Sequence, residues 1–361
     1  MNQEQITAKI AEIQGENLNT AFALGQKAVE RTQKLVDLNF LECMMFRFLS
    51  FLTEAARTSS FSDEHAFAHV WNHSVQKGKM NVEADVEAAK KNPKHPLSFE
   101  TYVAKYGSKG FKSGTDLSSS QAREHYNSQI QHAAQTVSGM ASHRDFKAAH
   151  ESGHLASVAG AAKNATLSDT WKKHGATDTT SRADIHIGDT KNPSAIRISY
   201  KHYGGSQLAS AQSKQTAATI EHAANQLHKT DTSFTKQKHQ QVIGHLDELK
   251  KGMQAVRNAK NDQERDVHLA HVTAIHKKIL GVHPGLANHI AREAATGQGQ
   301  FGPNSPHSAT HVVSNYNPKT KQTAVKRADE VTSNDVKMRM AKGKGMSGGK
   351  YRELTMRMDY K

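Results

Sequence analysis

Cysteine is almost absent from this chain. The single thiol, Cys43, has no partner, so no internal disulfide can form, which fits a reducing compartment. Long apolar runs are missing too. The one strongly apolar stretch, LNFLECMMFRFLSFL at 38–52, is short for a membrane span and contains Glu42 and Arg47. Asn39, Glu42, Arg47, Ser50 and Glu54 fall on one helical stripe, with Leu, Met and Phe around the rest. That pattern predicts a helix buried in a helical domain or an oligomer interface, with membrane contact as the alternative. The opening MNQEQITAKIAEIQGE is polar and carries acids, so no secretory signal peptide is expected. No internal repeat is visible. Only 36% of residues are apolar, so much of the chain is expected as exposed helix or loop.

Positive charge is what the sequence has in excess. Lys and Arg number 48 against 34 Asp and Glu, a net charge of +14, and 23 histidines add to this in mild acid. Such a field favours polyanions, meaning nucleic acid or an anionic surface. The 361 residues suffice for two or three domains. Residues 1 to about 90 have helical periodicity, and KKNPKHP at 90–96 is a natural break. KYGSKGFKSGTDLSSS at 105–120 is a Gly/Ser/Lys-rich loop. Helix is expected from QAREHYNSQIQHAAQTVSGMA, from about Arg144 to Asn164, and from about Ser206 to Leu227. Val242, Leu246, Leu249, Met253 and Val256, answered by Leu269, Val272, Ile275 and Ile279, predict a helical hairpin over 236–282 that turns at NAKNDQER. ATHVVSNY and QTAVKRA are strand-like around NPKTK. LTMRMDY alternates, with Leu354, Met356, Met358 and Tyr360 on one face. MAKGKGMSGGKY is a flexible basic loop in a basic tail. Four segments result: a helical domain at 1–92, a core at 93–235, the hairpin at 236–300 and a basic strand-rich segment at 301–361.

The chemistry concentrates in SRADIHIGDTKNPSAIRISYKHYGGSQL, residues 181–208. Two alternating runs flank a turn made of the residues a tight connection needs. Alternation puts Asp184 and His186 on one face, with Arg197, Ser199 and Lys201 facing the same way. Ile185, Ile187, Ile196, Ile198 and Tyr200 oppose them. Asp184 and Lys201 are thus expected side by side. A carboxylate can hold a hard cation such as Mg²⁺, the cation activates a water, and an amine stabilises charge on a phosphate.

These residues resemble the PD-(D/E)XK nuclease superfamily. Asp184 in SRADI stands as the metal carboxylate and Lys201 in ISYK as the motif lysine. HYGGSQLAS is similar to the Gly-rich turn into a helix that follows the lysine in phage-encoded members. The resemblance covers roughly Arg144 to Leu227, in the order helix, Asp strand, x-Lys strand, helix. It implies an α+β fold with a mixed sheet flanked by helices, here carrying a helical N-terminal domain and a helical hairpin insertion. It also implies metal-dependent cleavage of DNA with Mg²⁺ or Mn²⁺ and a phage origin, in the host cytoplasm or the virion. Other virion proteins, and further copies of the chain met through its helical segments, are the protein partners expected.

The sequence departs from the family at Ser199, where an acid usually stands two residues before the lysine. A hydroxyl is a poor replacement for a carboxylate. An active site therefore needs an acid from elsewhere. Glu151, on the helix before the hairpin, is preferred, with Glu221 in the following helix as the other candidate; either would join Asp184 in the metal shell. Glu293, in REAATGQGQFGP, belongs to a stretch that resembles a segment accompanying the hairpin in some phage proteins. Alternatively, the Thr-Gly there simply ends a helix.

Two competing readings remain. Ser199 favours a non-catalytic DNA-binding or structural virion protein with a degenerate nuclease core. His150-Glu151-Ser152-Gly153-His154 has the form H-E-x-x-H, which would place two zinc ligands one helical turn apart with Glu151 as base. Against that zinc protease stand the abundance of histidine and Ser157, which occupies the place of the glycine in longer versions of the motif.

Overall fold

The computed structural model describes residues 61–159, 165–189, 195–203, 206–343, 345–347 and 349–361. Cys43, the apolar stretch 38–52 and most of the expected N-terminal helical domain lie outside them. Among the described residues the fold is α+β. Its helices are α1 (Asp63–Lys77), α2 (Glu83–Lys91), α3 (Phe99–Tyr106), α4 (Ser120–Gly139), α5 (Arg144–Glu151), α6 (Asp169–His174), α7 (Ser213–Thr230), α8 (Lys236–Ala255), α9 (Asp262–Gly281), α10 (Pro284–Thr296) and α11 (Gln298–Phe301). Local chemistry sets their ends. Ser62, Ser98, Ser119 and Thr235 cap α1, α3, α4 and α8 by accepting a backbone N–H in the first turn. Gly297 ends α10 with φ +64°, a left-handed conformation that glycine adopts without strain. None of these helices is long and apolar enough to cross a membrane.

A five-stranded mixed sheet runs in the order β1 (Ala156–Val158), β2 (Ile185–Ile187), β3 (Ile196–Lys201), β5 (His311–Asn317), β6 (Gln322–Arg327). Only β3 and β5 pair in parallel. Between them in the chain comes β4 (Ser206–Ala211), which joins a second sheet with β10 (Thr355–Tyr360) and β7 (Val336–Ala341). A short pair, β8 (Met346–Ser347) and β9 (Lys350–Tyr351), lies within the basic tail loop.

Alternation along the strands divides the interior in two. Ile185, Ile187, Ile196, Ile198, Tyr200 and Val313 face one core with Phe67, Trp71, Tyr126, Ile130 and Phe146 of α1, α4 and α5. Val86 and Ala89 of α2 join that core, so the 90–96 break is a loop beside a shared interior. Val312 points the other way, into a core with α7, α8, α9, α10 and the three-stranded sheet. The edge strand β1 is covered. Asn72 of α1 donates to the Ala156 carbonyl at 3.0 Å and accepts the Ala156 N–H at 2.6 Å, satisfying groups that an open edge would expose.

The helical hairpin forms as α8 and α9, with Val242, Leu246, Leu249, Met253, Val272, Ile275 and Ile279 buried along the seam. β10 also forms, with Met356, Met358 and Tyr360 on its buried face. Two expected helices change. The helix begun at Arg144 stops at Glu151; Gly153 turns at φ +73° and the chain enters β1. Ser206–Ala211 is strand, and the next helix starts at Ser213. β4 pairs with β10, about 150 residues further on. Tertiary pairing outweighs local helical preference there.

Candidate active site

β2 and β3 form the expected antiparallel pair. Ile185 pairs with Ile198, His186 with Arg197 and Ile187 with Ile196. One residue ahead of β2, the Asp184 N–H donates to the Ile198 carbonyl at 2.7 Å. Its Oδ2 accepts the Tyr200 N–H at 2.7 Å and the Lys201 ammonium at 3.1 Å. The Asp184 side chain is 28% exposed and that of Lys201 13%. The pair is thus anchored by backbone yet open to solvent on one side. Ser199 is fully enclosed, next to Val312 on β5. A carboxylate at that position would be desolvated, a cost a neutral hydroxyl avoids.

Two of the three candidate acids, Glu221 and Glu293, are committed elsewhere, and Glu151 is a loosely paired surface residue. Glu151, at the C-terminus of α5, is exposed and lies 3.8 Å from Lys147. Glu221, buried on α7, accepts from Lys173 at 2.7 and 2.9 Å and from His174 at 2.7 Å. Burial alone would raise this carboxyl, but the Lys173 and His174 contacts outweigh it and hold it below its ordinary value. Glu293, buried on α10, accepts the N–H groups of Gly299 at 2.6 Å and Gln300 at 3.0 Å. It holds the turn of the TGQGQF segment, whose Gly297 packs against Arg182, two residues before Asp184. The Glu293 segment therefore reaches the chain leading into the hairpin, while its carboxylate serves the turn.

Glu293 gives the site's surroundings a pH signature. Burial pushes its carboxyl up to about 7, against the Gly299 and Gln300 N–H groups and the Arg182 charge, which pull it down. Between the ordinary 4.5 and about 7, the folded chain keeps a proton that the unfolded chain has released. This stabilisation is full below the ordinary value and is lost as pH rises through 7. Glu293→Gln is expected to lack that slope, so the difference between variant and parent urea midpoints should change with pH over this range. It should also cost about 1–3 kcal/mol, because one amide oxygen cannot serve both N–H groups. Parallel curves for the two proteins would refute the assignment.

The histidines near the hairpin are also engaged. His186 Nε2 lies 2.7 Å from the Pro306 carbonyl, His174 is on Glu221, and His202 pairs with Asp63. Arg197 drew no special role from sequence. It is buried in β3 and donates to Ser308 O at 2.9 Å and Pro303 O at 2.6 Å, tying the 303–308 loop under the hairpin.

The H-E-x-x-H reading is overturned by the backbone. Because α5 ends at Glu151, His150 and His154 do not share a helical face. His150 is buried against Trp71, with its Nε2 3.1 Å from the Ser74 hydroxyl. The His154 carbonyl accepts the Trp71 indole N–H.

Asp184 offers one carboxylate to a hard cation. Mg²⁺ is commonly bound through one or two carboxylates together with waters and substrate phosphates, so the donor set fits a cation that arrives with substrate. Among the described residues, Asp184 belongs to neither of the two groups that bring three His or Asp ligand atoms within 4.8 Å of one another. No protein-family model, curated protein or solved structure matches the chain.

Proposed function

We propose that the chain is a metal-dependent nuclease of the PD-(D/E)XK kind, hydrolysing DNA phosphodiesters at the Asp184–Lys201 pair. The observation that carries this reading is the 3.1 Å contact between those side chains across neighbouring strands. It lies on a mixed sheet with helices on both faces, and α5, β2, β3 and α7 follow one another in that order along the chain, with β1 and α6 between α5 and β2 and with β4 between β3 and α7. Asp184, waters and a substrate phosphate oxygen would hold Mg²⁺ or Mn²⁺. When bound there, such a cation would supply polarisation of the phosphate and acidification of a water. Lys201, fixed by Asp184, presents its ammonium where charge gathers on the phosphate. The basic loops 105–114 and 342–350 supply phosphate contacts that carry no sequence information. The phage-encoded sequences that the hairpin resembles point to a role on phage or host DNA, in the host cytoplasm or the virion.

A second reading has its own observation. Ser199 is neutral, and Glu151, Glu221 and Glu293 all have other partners. This favours a DNA-binding or assembly protein built on a degenerate nuclease core. Incubating plasmid and linear DNA with the full chain and Mg²⁺ or Mn²⁺, beside Asp184 and Lys201 variants, separates the two. Cleavage lost in both variants supports the nuclease. Salt-sensitive binding without cleavage supports the second reading.

A further inference from the structure

His143 caps the N-terminus of α5, Asp145 lies in its first turn, and His311 opens β5. Phe146 presses edge-on against both imidazoles, with ring centroids 5.4 Å from His143 and 5.1 Å from His311. One ligand atom from each of the three residues lies within 4.8 Å of the others. Asp145 Oδ2 and His311 Nε2 are 3.2 Å apart. Two ligands about 2.0–2.2 Å from a tetrahedral ion are themselves roughly 3.3 Å apart, so this spacing already matches shared coordination. His143 Nδ1 is shielded from solvent and has no hydrogen-bond partner, which leaves a buried lone pair or N–H unsatisfied.

The surroundings orient His311 as metal-binding sites orient their histidines. The Thr310 hydroxyl oxygen accepts the Arg197 N–H at 2.9 Å, donates to the Arg197 carbonyl at 3.2 Å and lies 2.9 Å from His311 Nδ1. With that hydroxyl proton on the Arg197 carbonyl, His311 carries its own proton on Nδ1. Its Nε2 lone pair then faces the Asp145 carboxylate, an arrangement completed by a cation. The other group of this kind, His73, Asp85 and His95, lacks this logic. His95 Nδ1 accepts the Leu97 N–H, leaving the ring proton on Nε2, and Lys79 already stands 3.8 Å from Asp85.

We propose that His143, Asp145 and His311 bind a first-row divalent transition-metal ion of the zinc class, with a coordination position open to the adjoining cavity. Two imidazoles and one carboxylate select such an ion over Mg²⁺. Asp145 and His311 line a cavity of about 660 Å³ whose other charged walls are Arg292, Arg327, Glu293 and Asp329. The cavity gives water or a small ligand access to the metal's open position. The site tethers α5 to β5 and does not depend on the nuclease reading.

The test uses the full chain, stripped with chelator and titrated with Zn²⁺ alone against a chromophoric competitor. One zinc per chain is expected. His143→Gln and Asp145→Asn should each weaken binding by about 100-fold or more, at or above the cost of losing a supporting group. His95→Gln should leave it unchanged. Circular dichroism confirms that the variants are folded; His143 and Asp145 are only partly buried, so both changes are mild. Loading the parent with Co²⁺ gives a second readout, a visible band from four-coordinate cobalt that Zn²⁺ removes. No stoichiometric zinc, no such band, or equal affinity in both ligand variants overturns the proposal.

Discussion

Asp184→Asn is expected to lower metal-dependent DNA cleavage by at least about 100-fold, and Lys201→Met by about 10²–10³-fold, with little change in stability. Asp184 holds the Tyr200 N–H as well as Lys201. Alanine there would orphan a backbone donor, at about 1–3 kcal/mol, and mix structural loss with chemical loss. Asparagine retains an acceptor for Tyr200 while removing the charge that a cation needs. Methionine at Lys201 keeps most of the side chain's apolar length and deletes only the ammonium. The measurement is single-turnover cleavage of a labelled duplex with Mg²⁺ or Mn²⁺, beside thermal melts of each variant. Rates equal to the parent's in folded variants would remove the hairpin from the chemistry. On the proposed reading, in which net charge and the basic loops hold DNA, binding should persist in both variants and weaken steeply with salt.

Trp71→Ala is expected to cost about 3–5 kcal/mol, much of the 5–15 kcal/mol that holds a typical domain together. Trp71 is fully buried, stacked on Phe67 at 6.0 Å and edge-on to Phe146 and His150. Its indole N–H donates to the His154 carbonyl at 2.8 Å. Truncation leaves a cavity between α1 and α5 and strips that carbonyl of its donor just before β1. Trp71→Phe fills most of the space and should cost less, about 1–3 kcal/mol, chiefly through the lost hydrogen bond. Urea midpoints by circular dichroism read both. A loss under about 1 kcal/mol for alanine would mean that this core can close without the indole. Because α1 also clamps β1 through Asn72, the same variant should increase hydrogen exchange in β1 and β2 ahead of the rest of the sheet.

The hairpin was legible because a strand has a period of two. Once Ile185, Ile187, Ile196 and Ile198 are assigned to the interior, Asp184 and Lys201 must share the other face. The α8–α9 hairpin and β10 were legible for the same reason, each stating its buried side at regular spacing. Where local pattern and long-range pairing disagreed, reading along the chain went astray. QLASA in β4 alternates too weakly to announce a strand, and its partner β10 lies at the far end of the chain. The helix expected from Arg144 to Asn164 ends at Glu151 because Gly153, at φ +73°, turns the chain into β1.

The candidate site divides along the same line. The sequence by itself determined the Asp184–Lys201 face, the neutral Ser199 on that face and the basic balance, since each depends on residue type and short-range alternation. Only the tertiary structure decided what the acids do. Glu221 is claimed by Lys173 and His174, 48 and 47 residues away, and Glu293 by a turn that closes only once α10 and α11 are packed. His143, Asp145 and His311 carry no motif; 166 residues separate the last two, and they meet because α5 packs against β5. Periodicity specifies which way a side chain points, but what it meets depends on which elements pack together, and that is settled by burial summed over the whole chain.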